Sequence, residues 1–184
     1  MATVNTLYGP IDEDILGACA SLKLLVLDVD GVLSDGAIYM GNNGEELKAF
    51  NVKDGYGIKA VAKCGVDIAV ITGRRSKIVE DRMSALNAKF IVQGEEDKYH
   101  ALIDIMKSLN ISSEQVASIG DDMPDMGLYK LSHLKVAVAD AHPFIKQHAN
   151  VQLTLNGGQG AVREFCDLIL QAKGLLDMTH GASL

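Results

Sequence analysis

The chain has 184 residues, a net charge of −7 and a pI near 5.1. That length suits one domain with a substantial core, and the acidity excludes general nucleic-acid binding, which needs a basic surface to neutralise phosphates. Three widely spaced cysteines, Cys19, Cys64 and Cys166, lack metal-ligand spacing and read as reduced packing residues; with no bilayer-length apolar stretch and an acidic N-terminus unlike a secretion signal, the expectation is a soluble cytoplasmic protein with no membrane partner.

Residues 1–9 read as a loose arm and residues 10–20 as a short helix with Pro10 near its start. The continuous apolar run from Leu24 to Leu27 predicts a first strand, at about residues 23–29, buried on both faces. Residues 34–52 predict a β-hairpin with a Gly41-Asn42-Asn43-Gly44 turn, placed to act as a flap or a pairing edge beside the strand's end, or as a plain surface hairpin. From Asp54 the periodicity is helical, with Gly65 as the stop. Residues 67–71 are a second buried strand, 76–86 a helix, 89–92 a third strand and 98–109 a helix with Asp97 as a possible N-cap. Ser112 to Gln115 has capping-box spacing. Residues 116–119 and 135–138 are the fourth and fifth strands, separated by a short helix at about 124–131. Pro143 opens another helix, 151–153 is a weak sixth strand, Gly157 to Gly160 breaks the chain, and 161–172 is a closing helix.

This alternation predicts an α/β fold, a Rossmann-like parallel sheet flanked by helices on both faces, with a β-hairpin flap after the first strand. No segment is large enough for a cap domain, so residues 1–184 are expected to form one domain with a flap at 34–52 and a flexible tail at 174–184. Ligands of such sheets bind at the carboxyl ends of the strands. Asp28, Asp30, Thr72, Lys98, Asp121, Asp122 and Asp125 all fall on or beside that rim.

Taken alone, Asp28-Val29-Asp30-Gly31 is equally a strand that ends in a solvated turn. The whole set says more. Clustered carboxylates without cysteine or histidine suit Mg²⁺ rather than zinc, and a lysine and a threonine beside such a cation suit a phosphoryl group. Asp28 is the candidate nucleophile and Asp30 the candidate acid and base for the leaving oxygen. Thr72 would bind the transferring group, Lys98 would offset its charge, Asp121 would ligate Mg²⁺, and Asp122 and Asp125 would position waters or the lysine.

These motifs, Asp28-Val29-Asp30-Gly31-Val32, Thr72-Gly73-Arg74, Lys98 and Gly120-Asp121-Asp122-Met123-Pro124-Asp125, occur in the order of the four motifs of the haloacid dehalogenase superfamily phosphatases, which the chain resembles. The resemblance implies Mg²⁺ held by Asp28, Asp121 and the backbone carbonyl of Asp30. The missing cap, Gly157-Gly158-Gln159-Gly160-Ala161-Val162-Arg163-Glu164 and the Ala139 to Pro143 turn narrow it to capless members acting on small-molecule sugar phosphates of the ulosonate type. An eight-carbon ulosonate 8-phosphate, which supplies lipopolysaccharide, is the first expectation. A nine-carbon 9-phosphate of the sialic acid type is the alternative, and a non-catalytic oligomerisation module the third. The resemblance further implies a homotetramer with active sites completed at subunit interfaces, where the C-terminal tail reaches a neighbour.

An acidic protein needs local cations for a substrate with a phosphate and a carboxylate. Arg74 is the first candidate and Arg82 the second, with Arg75, Lys48 and Lys53 also available. Arg163 reads equally as a structural cap, a subunit contact or a ligand, and His142 as a loop histidine. Gly127 departs from the family's pattern and is expected to loosen the helix after Asp125.

Overall fold

The computed structural model of the protein describes residues 2–179. Strand β3 (Leu24–Leu27) is buried along its whole length. Its alternation splits the core into two clusters. Leu25 and Leu27 join residues of α1 (Glu13–Ser21), α2 (Val52–Lys63), α3 (Lys77–Ala85) and α7 (Ala161–Ala172). Leu24 and Val26 face α4 (Lys98–Leu109) and α5 (Met126–Tyr129) on the other side.

Six parallel strands make the central sheet. Their order is β10 (Val151–Gln152), β9 (Leu134–Ala137), β8 (Val116–Gly120), β3, β6 (Asp67–Thr72) and β7 (Phe90–Gln93). This is the doubly covered sheet that the sequence predicts. Because β3 lies between β6 and β8, with Leu27 level with Val70 and Ile119, the rim residues after all three strands come together.

Two small antiparallel pairs are added. The hairpin after β3 is present but short, with only β4 (Tyr39–Met40) and β5 (Glu46–Leu47) paired. Asn51 caps α2 by accepting the Lys53 N–H at 2.8 Å, so the helix begins at Val52, before Asp54. The expected loose arm is instead a hairpin of β1 (Thr3–Thr6) and β2 (Gly9–Asp12), and Pro10 lies in a strand, not in the helix. It is anchored by Tyr8, whose hydroxyl donates to Asp167 of α7 at 2.7 Å.

Helices α4 and α7 have the predicted bounds, with Asp97 capping α4 through the His100 N–H at 3.1 Å. The N-cap of α7 is Gly160, which has no side chain to offer. Asp54 reaches across from α2 and accepts the Arg163 N–H at 2.8 Å, so the cap comes from another helix. Gly127 permits close approach: a Cβ there would sit 3.0 Å from the Tyr99 nitrogen at the start of α4.

Candidate active site

The chain turns sharply after β3. The N–H groups of Val32, Leu33 and Ser34 all donate to the Val29 carbonyl, at 3.2, 2.9 and 3.0 Å. Gly31 takes φ +91°, and a Cβ there would overlap the Asp121 carboxylate, so glycine is required twice over. The turn leaves Asp28 and Asp30 on one open pocket of about 540 Å³, together with Thr72, Gly73, Arg74, Lys98, Asp121, Asp122 and Asp125.

Asp28 has the strand parity of Leu24 and Val26, the face that meets α4, and α4 begins with Lys98. The buried Lys98 ammonium donates to Asp28 Oδ1 and to Asp125 Oδ1, both at 2.7 Å. Asp125 Oδ2 accepts the Asp121 N–H at 2.9 Å, which fixes the turn carrying Asp121. The Asp121 carbonyl accepts the His142 N–H at 2.7 Å. His142 therefore supports the site through its backbone, while its Nδ1 accepts the Phe144 N–H at 3.2 Å to start α6 (Pro143–His148). Thr72 is buried, and its hydroxyl has no partner among the described residues.

Oxygen atoms of Asp28, Asp121 and Asp125 lie within 4.8 Å of one another. Burial, reinforced by the Asp125 charge and opposed by Lys98, pushes the Asp28 carboxyl up to about 6. Burial and the charges of Asp125, Asp28 and Asp122 push Asp121 up to about 8. Burial works against the charged form of Lys98, but Asp28 and Asp125 outweigh it and raise its proton affinity. With every carboxyl ionised, three acids and one ammonium would carry a net charge of −2 in a confined space, and that crowding adds to burial in driving the two carboxyls up. A divalent, oxygen-preferring cation fits that imbalance and the all-oxygen donor set. Asp28 and Asp121 are the carboxylates that would hold it, since Asp125 is already engaged by Lys98 and backbone N–H.

Asp30 is oriented otherwise. Its Oδ1 accepts from Lys48 Nζ at 2.5 Å, and its Oδ2 lies 3.9 Å from Arg74 Nε. Its side chain is not in the three-acid cluster. Arg74 lines the pocket and lies 3.3 Å from Glu46 of the hairpin. Arg82 is not brought to the pocket: its guanidinium packs against Gly55 at the start of α2, and its Nε is buried without a hydrogen-bond partner among the described residues. Arg163 pairs with Asp167 at 2.8 Å and covers the Tyr56 ring at 4.7 Å, a packing role. Sequence reasoning passed over Glu95 and Glu96, which follow the carboxyl end of β7 into the pocket, and Glu46. The strand alternation of Glu46 and Lys48 was the available signal for the hairpin pair.

An aspartate-bearing turn after a central parallel strand, a hydroxyl after its neighbour, a lysine at a helix start and a second acidic turn define the haloacid dehalogenase-like class. A family profile described as haloacid dehalogenase-like hydrolase matches residues 84–165. The chain is 49% identical, over all of its length and 97% of the other protein, to the 3-deoxy-D-manno-octulosonate 8-phosphate phosphatase KdsC of Escherichia coli (strain K12). The crystal structure of the enzyme of that name from Yersinia pestis superposes with a TM-score of 0.94 at 49% identity, covering 96% of this chain and 95% of that one. A Moraxella catarrhalis phosphatase of the same name, solved with magnesium, phosphate and 3-deoxy-D-manno-octulosonate (KDO), gives 0.90 at 37% identity, covering 95% and 100%. The chain belongs to the 3-deoxy-D-manno-octulosonate 8-phosphate phosphatase family of the haloacid dehalogenase-like hydrolases.

Proposed function

We propose that the protein is a Mg²⁺-dependent phosphoric monoester hydrolase that converts 3-deoxy-D-manno-octulosonate 8-phosphate to the free sugar acid and phosphate. One observation carries the chemistry: the buried Asp28 carboxylate, held by Lys98 at 2.7 Å, fronts a pocket that it shares with Asp30, Thr72 and Arg74. The near-half identity along the full chain supports the substrate.

Magnesium, when bound, supplies positive charge to the phosphoryl oxygens and to the Asp28–Asp121 pair. Asp28 attacks phosphorus with the oxygen not held by Lys98 and becomes an aspartyl phosphate. Asp30 gives its proton to the departing sugar oxygen and later takes one from water, which cleaves the acyl phosphate. The Thr72 hydroxyl donates to a phosphoryl oxygen, and Lys98 balances charge beside the nucleophile. Arg74 stands where it can meet an anionic group of the substrate. Asp30 contributes to the metal site through its carbonyl.

The chain acts as one phosphatase domain in the cytoplasm, within lipopolysaccharide synthesis, and as a homotetramer. The hairpin supports the assembly, because Ile38, Met40 and Leu47 are 55, 76 and 67% exposed. The tail expected to reach a neighbour's site, residues 174–184, extends past Thr179 into residues 180–184, which lie outside the described residues. Phosphate release from a panel of sugar phosphates, with and without Mg²⁺, tests the reading. Selective turnover of the eight-carbon 8-phosphate is expected. Equal or better turnover of a nine-carbon 9-phosphate would overturn the substrate, and metal-independent turnover the mechanism.

A further inference from the structure

The hairpin is open to solvent, yet one of its side chains is hidden. Leu47 is 67% exposed, whereas the side chain of adjacent Lys48 is only 2% exposed. Burying a lysine immobilises a flexible stem and strips water from an ammonium, so its partners must compensate. Those partners form a closed ring of alternating charge. Lys48 Nζ lies 2.5 Å from Asp30 Oδ1 and 3.2 Å from Glu46 Oε1. Glu46 Oε2 lies 3.3 Å from Arg74 Nη2, and Arg74 Nε returns to Asp30 Oδ2 at 3.9 Å. The two oxygens of Asp30 are thus distinguished: Oδ1 is bonded, and Oδ2 has only a distant cation beside it.

We propose that Lys48 is a positioning residue for proton delivery, fixing the rotation of the Asp30 carboxyl so that Oδ2 faces the ester oxygen. The proposal rests on the phosphatase reading and deepens it. As the Asp28 oxygen bonds to phosphorus, the phosphorus–ester oxygen bond breaks and its electron pair stays on the ester oxygen. That oxygen receives the proton from Asp30 Oδ2, which the carboxyl takes up from solvent water before the attack. Lys48 keeps its protons throughout and acts only by holding Oδ1. Its position on the hairpin makes the setting of the acid depend on the flap.

The readout is the dependence on leaving group. A sugar alkoxide leaves poorly and needs the proton, whereas p-nitrophenolate leaves well without it. The comparison uses kcat/KM, which covers only the steps through departure of the alcohol and so excludes the later attack of water. For Lys48→Met, kcat/KM for the sugar phosphate should fall roughly 10- to 100-fold, while that for p-nitrophenyl phosphate falls less than about 3-fold. Lys48→Arg should recover part of the loss, and Glu46→Gln, which keeps the lysine but loosens it, should show a smaller selective loss. These two variants carry the test if Lys48→Met does not fold, as judged by its thermal transition. Equal losses on both esters, or no loss on the sugar phosphate, would overturn the proposal while leaving the phosphatase reading intact. A wild-type protein inert toward both esters would sink that reading, and this proposal with it.

Discussion

Lys98 is the only cation within hydrogen-bonding distance of the three-acid cluster among the described residues, so Lys98→Met is an informative perturbation. The substitution keeps most of the buried stem volume and removes two charge-assisted hydrogen bonds of 2.7 Å. Breaking a buried ion pair by removing one partner costs about 3–5 kcal/mol. The protein has an escape, because one carboxyl can take up a proton instead. From an unfolded value near 4, that uptake costs about 1.4 kcal/mol per pH unit, hence about 5–6 kcal/mol at pH 8 but only about 1.5 kcal/mol at pH 5. The cheaper route governs. In EDTA the variant should lose about 3–5 kcal/mol relative to wild type near pH 8, and about 1–2 kcal/mol near pH 5. The sign follows from proton binding: a carboxyl raised in the folded state binds more protons there than in the unfolded chain, so stability falls as pH rises. Urea unfolding of both proteins across this range measures the difference. A loss independent of pH, or one below about 1 kcal/mol at pH 8, would refute the argument that Lys98 compensates buried negative charge.

Asp28→Asn removes the attacking oxygen, so phosphate release should fall by on the order of 10⁴-fold or more. The metal-free variant should melt no lower than wild type, since a crowded charge has gone. Wild-type protein in EDTA should lose stability as pH rises from about 4, the unfolded carboxyl value, through about 6 and on to about 8, because Asp28 and Asp121 are both raised in the folded state. Saturating Mg²⁺ should flatten that slope, and thermal melts with and without the ion check it. Asp54→Ala removes the cap that α2 lends to α7 and should cost about 1 kcal/mol, a fall of about 2–4 °C in the melting temperature, whereas Asp54→Asn, which keeps an acceptor, should cost less.

What the sequence disclosed follows the range of the interactions involved. Strand β3 was evident because burial on both faces makes an unbroken apolar run, and α4 because its cap, Asp97, is adjacent in the chain. The rim residues were readable because a parallel sheet turns their order along the chain into proximity. The N-terminal hairpin was missed because what ties it to the fold is distant: Thr6 Oγ1 closes its turn by donating to the Gly9 carbonyl at 2.7 Å, but Tyr8 is held by Asp167, 159 positions away. Arg82 was assigned to the substrate from its helix alone, but the packing of α3 against Gly55 of α2 decides where that side chain goes. The ring through Lys48 spans the hairpin and the turns after β3 and β6, so its members could be listed singly but not joined.

The glycine-rich segment shows the same limit from the side of sterics. In the sequence, Gly157 and Gly158 mark a break before α7 and share in the family resemblance, with no sign of what they lie against. In the fold they form the floor beneath the Asp28–Asp30 turn. A Cβ on Gly157 would overlap the Gly31 carbonyl, and one on Gly158 would come within 2.5 Å of the Ser34–Asp35 peptide. On its other side, Gly31 lies so close to Asp121 that a Cβ would strike the carboxylate. Two backbone layers therefore stack without side chains between them, the segment before α7 and the turn after β3, and the Asp121 carboxylate lies directly against Gly31 of that turn. Asp140 clamps the outer layer by accepting the Gly157 N–H at 2.9 Å, and Asn51, at the foot of the hairpin, donates to the Gly158 carbonyl at 3.4 Å. The missing side chain at Gly31 thus lets the Asp121 carboxylate come up against the turn that follows Asp28. Close placement suits two carboxylates that would share one small cation, because Mg²⁺ tolerates little departure from its preferred geometry. Gly157 and Gly158 bear on the chemistry by letting the segment before α7 close onto the turn that carries Asp30, although neither glycine lines the pocket itself.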